Sequence, residues 1–288
     1  MTSKLFFKST LLFFSLLIVS CGSNKKAIPQ LKPSNNNVNL TSSSTDVAFK
    51  TGAENFESYL PLLKDKRVGV VTNQTGIIKY ESIEMIYVQD TRIKPQAKLT
   101  NKEVSIVDFL LGQNINLQKI YAPEHGFRGT ADAGELIVDG KDTKTNLPII
   151  SLYGNNKKPK PEQLEGIDIL VFDLQDVGAR FYTYISSLHY VMEACAENNI
   201  PLLVLDRPNP NGTIIDGPIL EKEHKSFVGM HEIPVLHGMT IGEYAKMING
   251  EKWLKDSIQC DLKIAPCLNY SHEMKYSLPV KPDRKSVV

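Results

Sequence analysis

Glu124, His125 and Arg128 put a carboxylate, an imidazole and a guanidinium within one short segment, Ala122-Pro123-Glu124-His125-Gly126-Phe127-Arg128-Gly129. Pro123 restricts the turn, while Gly126 and Gly129 free it again. A carboxyl held beside apolar Phe127 in a closed cleft would have its pKa raised, as a general acid working near neutral pH requires. A bland reading stays open beside this one. Glu124 and Arg128 could form a structural ion pair while His125 caps a backbone group.

Three further segments carry polar groups of the same kind. Asn73-Gln74 sits in one. Asp173, Gln175, Asp176, Arg180, Tyr182 and Tyr184 fall in the second, and Asp206-Arg207 opens the third. The tyrosines suit sugar faces, and a guanidinium fork suits a carboxylate ligand. Asp-to-Arg pairs at this spacing also brace loops, which is the expected job for at least one of them. Asp206 and Arg207 could equally pair internally, and the Arg-Pro and Asn-Pro steps that follow favour a rigid turn. His231 and His237 stand alone near proline and glycine and are expected to be structural. No His, Cys, Asp and Glu cluster has zinc-ligand spacing, and no Gly-x-Gly-x-x-Gly follows a strand, which argues against a dinucleotide.

The elements that must position these groups are short apolar runs. Val68 to Val71, Leu117 to Tyr121, Ile167 to Phe172 and Leu202 to Leu205 read as strands buried on both faces. Ser105 to Leu111 and Thr183 to Asn198 read as helices between them. The alternation predicts an α/β fold with a doubly wound parallel sheet, whose ligands bind outside the carboxyl ends of the strands. Every chemistry-bearing segment above begins where one of those four strands ends. Lys79 to Lys102 shows no clear period and reads as an insertion. After Pro210, Thr240-Ile241-Gly242-Glu243 has the form of a capping box and Asp261 to Pro266 reads as a strand. These pieces are expected to begin a second, smaller domain.

With 288 residues, 42% of them apolar, the chain can bury a real core. Its net charge of +1 comes from interspersed acids and bases, so nucleic acid is not an expected partner. The first 20 residues read as a signal peptide, with Lys4 and Lys8 ahead of an apolar run from Leu11 to Val19 that is short for a membrane span. Ser20-Cys21 resembles a bacterial lipobox, so Cys21 is expected to carry the lipid that anchors the protein to a membrane, facing the periplasm or cell exterior. Residues 21–45 are rich in Ser, Asn, Lys and Thr and read as a flexible tether. Cys195 reads as a buried apolar residue, and Cys260 with Cys267 could pair.

Four ordered motifs carry a resemblance. They are Pro-Glu-His-Gly-Phe-Arg-Gly at 123–129, Asp-Leu-Gln-Asp-Val-Gly-Ala-Arg-Phe-Tyr-Thr-Tyr at 173–184, Asp-Arg-Pro-Asn-Pro at 206–210 and His-Gly-Met-Thr-Ile-Gly-Glu at 237–243. Together they resemble the bacterial exo-β-N-acetylmuramidases of the NamZ type. The resemblance implies a Rossmann-like domain, here 46–215, followed by a smaller α/β domain, here beginning at 216–282, with the active site in the cleft between them. It implies release of β-linked N-acetylmuramic acid from the non-reducing end of peptidoglycan fragments, with no metal or organic cofactor.

Glu124 matches the glutamate that the family is proposed to use, and His125 lies beside it. The second carboxylate could be Asp173, Asp176 or Asp206, or the substrate's acetamido group could help. Asn73, Gln74, Arg128, Gln175, Arg180, Tyr182 and Arg207 are the expected sugar-binding groups, the arginines for the lactyl carboxylate. Two other readings are a wall-sugar-binding lipoprotein that does not cut, and an esterase or deacetylase. The absence of a Gly-x-Ser-x-Gly elbow weakens the esterase version. Residues 283–288 match one reading frame of a common sequencing adapter, where the family continues differently, and are expected to be an artefactual tail on a truncated chain.

Overall fold

A computed structural model describes residues 48–86, 96–123, 126–128 and 139–281. Cys21, Glu124 and His125 lie outside the described residues, as do the signal peptide, the tether and the segment 283–288. In chain order the elements are α1 (Phe56–Leu63), β1 (Val68–Thr72), β2 (Ile77–Ile86), β3 (Gln96–Ser105), α2 (Ile106–Gly112), β4 (Leu117–Ala122), β5 (Gly140–Lys141) and β6 (Pro148–Ser151). Then come α3 (Pro161–Leu164), β7 (Ile169–Asp173), α4 (Tyr184–Glu197), β8 (Leu202–Leu205), β9 (Ile215–Asp216), β10 (Leu236–His237), α5 (Ile241–Gly250) and β11 (Leu262–Ala265).

Seven strands form one sheet in the order β11-β8-β7-β1-β4-β6-β5, parallel except where β5 meets β6. This is the doubly wound α/β architecture that the alternating pattern predicts. Along each central strand the side chains alternate between two cores. Val70, Val171, Leu203 and Leu205 join α1 and α2 on one face. Val71, Leu170, Phe172, Leu202 and Val204 join α4 and α5 on the other. Apolar residues at every position are therefore needed, because both faces are dry.

Local signals set the helix ends. The Ser105 hydroxyl accepts from the Asp108 N–H at 3.1 Å and starts α2. Thr240 and Glu243 cap α5 reciprocally, at 3.2 and 2.8 Å. Helix α4 ends where Asn199 turns left-handed at φ 55°.

Two regions differ from the sequence expectation. Residues 79–86 and 96–102, read as part of an aperiodic insertion, are instead antiparallel strands, β2 paired with β3. Only the base of this pair is buried, at Ile78. Further out, paired Ile83 and Leu99 are 70% and 59% exposed, so neither face needs an apolar alternation. The pieces expected to begin a second domain instead extend the first. Strand β11 pairs in parallel with β8, and α5 buries Ile241, Tyr244 and Ile248 in the α4 core. The chain from β8 through α5 to β11 is one more crossover onto the same sheet, so its apolar face already has a partner. The described residues all fall in one compact unit running from Asp46.

Leu188, fully buried in α4, and Leu62, 40% exposed on α1, test which side chains hold the fold. Leu188→Ala should cost about 2–5 kcal/mol in urea unfolding, and Leu62→Ala within about 0.5 kcal/mol of nothing.

Candidate active site

Because β1, β4, β7 and β8 run in parallel, Thr72, Ala122, Asp173 and Leu205 all end on one edge. The turn after β1 is held by its own side chains. Asn73 Oδ1 accepts from the Thr75 N–H and hydroxyl at 2.9 and 2.7 Å, and its amide donates to the Tyr184 hydroxyl. The Thr75 hydroxyl accepts in turn from the Gln175 N–H at 3.0 Å, which stitches the turn after β1 to the turn after β7. Asn73, expected to bind sugar, is thus a buried brace, whereas half-buried Gln74 keeps an unpaired Oε1 among the described residues. After β4 the Gly126 N–H donates to Pro123 O at 3.1 Å. Tyr182 is half-buried, with its ring edge-on to Tyr184 at 4.7 Å.

The three arginines expected to bind a ligand carboxylate are committed within the protein. Arg128 forks onto Asp142 at 2.7 and 2.8 Å and comes within 3.6 Å of Asp108. That fork holds the Asp142 carboxyl well below the usual carboxylate range. The structural pair in this segment is therefore Arg128 with Asp142. Arg180 donates to the backbone oxygens of Pro218 and Ile233 and so pins the loop ahead of β10. Arg207 forks onto Asp173 at 2.6 and 3.0 Å and donates to Ile77 O at 3.1 Å. Arg207 also borders a cavity of about 940 Å³ at the hairpin base, shared with Lys50, Glu54, Tyr80 and Tyr276.

The candidate second carboxylates separate just as clearly. Asp173 is fully buried and neutralised by Arg207. Asp206 spends both oxygens on the start of α5. Oδ1 accepts from Gly242 N at 2.8 Å and Arg207 N at 3.0 Å, and Oδ2 accepts from the Thr240 hydroxyl at 3.0 Å. The approach is so close that a Cβ on residue 242 would lie 2.7 Å from the Asp206 carboxyl carbon. Burial nevertheless pushes Asp206 up to about 6, against the pull of Gly242 and Thr240. Asp176 is different. Its Oδ2 accepts from Gly178 N at 2.7 Å, while Oδ1 has no partner among the described residues.

Gly178 is required here on two counts, a φ of +78° and an Asn209 side chain that would lie 2.0 Å from any added Cβ. Asn209 donates to Met239 O at 2.9 Å and Asn211 to Val177 O at 2.8 Å, so the turns after β7, β8 and β10 interlock.

Sequence reasoning set His231 and His237 aside, and both are central to this packing. His237 Nε2 lies 3.6 Å from Asp176 Oδ2, with its ring edge-on to Tyr244 at 5.3 Å. His231 hydrogen-bonds the Tyr244 hydroxyl at 2.8 Å and His189 at 2.9 Å, and stacks on Trp253. Burial, and then His189, push His231 down to about 3. Beyond it His189 lies 3.6 Å from Glu193, which pairs with Lys158 at 2.7 Å. Apart from the i,i+4 pair of His189 and Glu193, no local spacing signals these contacts, because the partners are far apart in the chain. Cys195, Cys260 and Cys267 are free thiols, so the possible Cys260–Cys267 pairing is not formed. Among the described residues no three His, Cys, Asp or Glu side chains gather as a metal site.

Residues 68–284 match the family model described as exo-β-N-acetylmuramidase NamZ, N-terminal. The chain belongs to the NamZ family. The peptidoglycan β-N-acetylmuramidase NamZ of Bacillus subtilis (strain 168) is 45% identical over 220 residues, which cover 76% of this chain and 47% of that protein. Two crystal structures of DUF1343 family proteins from Bacteroides fragilis NCTC 9343 share the NamZ-family fold seen here. One is 41% identical with a TM-score of 0.67, covering 83% of this chain and 57% of the other. The second is 40% identical with a TM-score of 0.65, covering 79% and 52%. The chain spans about half the length of the curated relative it matches.

Asp206 gives a pH test of this edge. Its folded value, about 6, lies above its ordinary 3.8, so the stability it contributes is present below about pH 4 and is lost as pH rises through 6. Relative to Asp206→Asn, the wild type should lose about 2 kcal/mol of unfolding free energy between pH 4 and 7. A parallel pair of pH curves would show that folding leaves the Asp206 pKa unshifted.

Proposed function

We propose that the whole protein is an exo-acting glycoside hydrolase that releases non-reducing terminal β-linked N-acetylmuramic acid from peptidoglycan fragments. The observation that carries this reading is the 45% identity to the Bacillus subtilis muramidase over 76% of the chain. The family motifs also flank one sheet edge, where a doubly wound fold binds ligands. In this reading Glu124 gives its proton to the glycosidic oxygen as the bond to the sugar breaks, and water supplies the new hydroxyl on the released muramic acid. A second carboxyl group or the substrate's acetamido group assists. Arg128, Arg180 and Arg207 brace the turns of that edge.

The protein works outside the cytoplasm, held to a membrane by lipid on Cys21 and set off from it by the tether, roughly 25–30 Å long in its typical reach. That location matches a substrate shed from the cell wall.

Two measurements test the reading. On a muramic-acid disaccharide, Glu124→Gln should lower kcat by about 100-fold or more, with free muramic acid as the wild-type product. Near-normal turnover by the variant removes Glu124 from its role, released acetate would mean a deacetylase, and unchanged sugar that still binds would mean a receptor. Cys21→Ser should move the protein from the membrane fraction to the soluble exported fraction, and continued membrane retention would refute lipid anchoring.

A further inference from the structure

Three buried polar atoms at the sheet edge lack protein partners among the described residues: Gln175 Oε1, Asp176 Oδ1 and His237 Nε2. Their residues are 2%, 5% and 3% exposed. The rest of each side chain is fully engaged. The Gln175 amide donates to Asp176 O and Pro208 O, both at 2.8 Å. Asp176 Oδ2 is taken by Gly178 N. His237 Nδ1 accepts from Met239 N at 3.3 Å. That last bond fixes the tautomer, because a ring nitrogen that accepts carries no proton. The proton of the neutral ring is therefore on Nε2, facing Asp176 at 3.6 Å, beyond hydrogen-bond length.

Buried polar atoms without partners are costly, and several in one place mark a missing ligand. The capacity left over is specific. His237 offers one donor, Asp176 one acceptor oxygen, and Gln175, its chain neighbour, a second acceptor. A hydroxyl group donates once and accepts as well. One hydroxyl set between His237 Nε2 and Asp176 Oδ1 satisfies both, and a second satisfies Gln175 Oε1. Half-buried Gln74 and Val177 flank these residues in the neighbouring turns.

Resting on the muramidase reading, we propose that Asp176, His237 and Gln175 form the subsite that grips the free hydroxyls of the terminal sugar. In a terminal muramic acid, carbon 1 carries the bond to be cut, carbon 2 the acetamido group and carbon 3 the lactyl ether. Only the hydroxyls on carbons 4 and 6 are free. Inside a glycan strand the carbon-4 oxygen carries the next sugar, cannot donate, and brings a bulky group into a buried site. The subsite thereby confines cutting to the non-reducing end. His237 contacts the sugar beside the Asp176 carboxylate, which Gly178 N holds in place.

The test compares two β-glycosides of muramic acid, one with the carbon-4 hydroxyl and one 4-deoxy, with the full-length protein. The wild type should favour the hydroxyl form by about 100-fold or more in kcat/KM. Asp176→Asn, which keeps shape, and His237→Phe, checked for an unchanged melting temperature, should cut that preference to within about 5-fold, mainly through KM. His237→Gln, which keeps a donor, should recover part of it. Variants that slow both substrates equally and preserve the wild-type ratio would overturn the proposal, as would a wild type indifferent to the hydroxyl. A wild type that frees no muramic acid from either glycoside fails the muramidase reading instead. In that case calorimetric binding of the 4-hydroxy and 4-deoxy sugars to wild type and Asp176→Asn gives the same ratio without turnover, and equal ratios again overturn the subsite.

Discussion

Arg207 carries a full positive charge into a place without water, and only the carboxylate of Asp173 makes that tolerable. Both side chains are essentially unexposed, at 1% and 0%. Removing either partner would leave a buried charge uncompensated, at a cost of about 3–5 kcal/mol. The pair also fixes geometry. Asp173 is the last residue of β7, Arg207 follows β8, and a third bond runs to Ile77 at the foot of the β2–β3 hairpin. Two central strands and the excursion from a third are thus tied at the edge where chemistry is expected. The turns after β7 and β8 are anchored by this ion pair.

Around it, the charged residues of the edge divide into those that hold the protein and those with capacity to spare. Asp206 is absorbed by the start of α5, Arg128 by Asp142, and Arg180 by the backbone before β10. Such pairing is expected on physical grounds, because a charge drawn into a low-dielectric edge needs a partner whether or not a substrate is bound. What remains unpaired is then informative. The turns after β7, β8 and β10 interlock through Asn209, Asn211 and Gly178, so the unpaired groups rest on a braced platform. A rigid platform keeps the entropy cost of ordering a ligand low.

The backbone plan was readable in the sequence because its signals are local. Leu202 to Leu205 is a continuous apolar run and is a strand to the residue. Thr183 to Asn198 differs from helix α4 by one residue at each end, and the Thr240–Glu243 box caps α5 as its spelling demands. The hairpin was unreadable because Ile83 and Leu99 sit on a ladder with water on both sides, which leaves no alternation to detect. The roles of the arginines were unreadable for another reason. Residue type states that a guanidinium will seek an acid, but only the fold states whether it finds Asp142, Asp173 or a ligand. The same holds for His237, whose partner Asp176 is distant in the chain.

Strand β11 is the last to join the sheet, and it covers the outer edge of β8. Just beyond it, Leu268 bridges back to Lys50, which closes the body end to end. A chain emerging from the ribosome makes Leu202–Leu205 long before it makes Leu262–Ala265. During that interval the β8 edge stands open, with four apolar residues and free backbone groups, a surface able to pair with any neighbouring strand. The native partner of that edge is made only when translation reaches Leu262–Ala265.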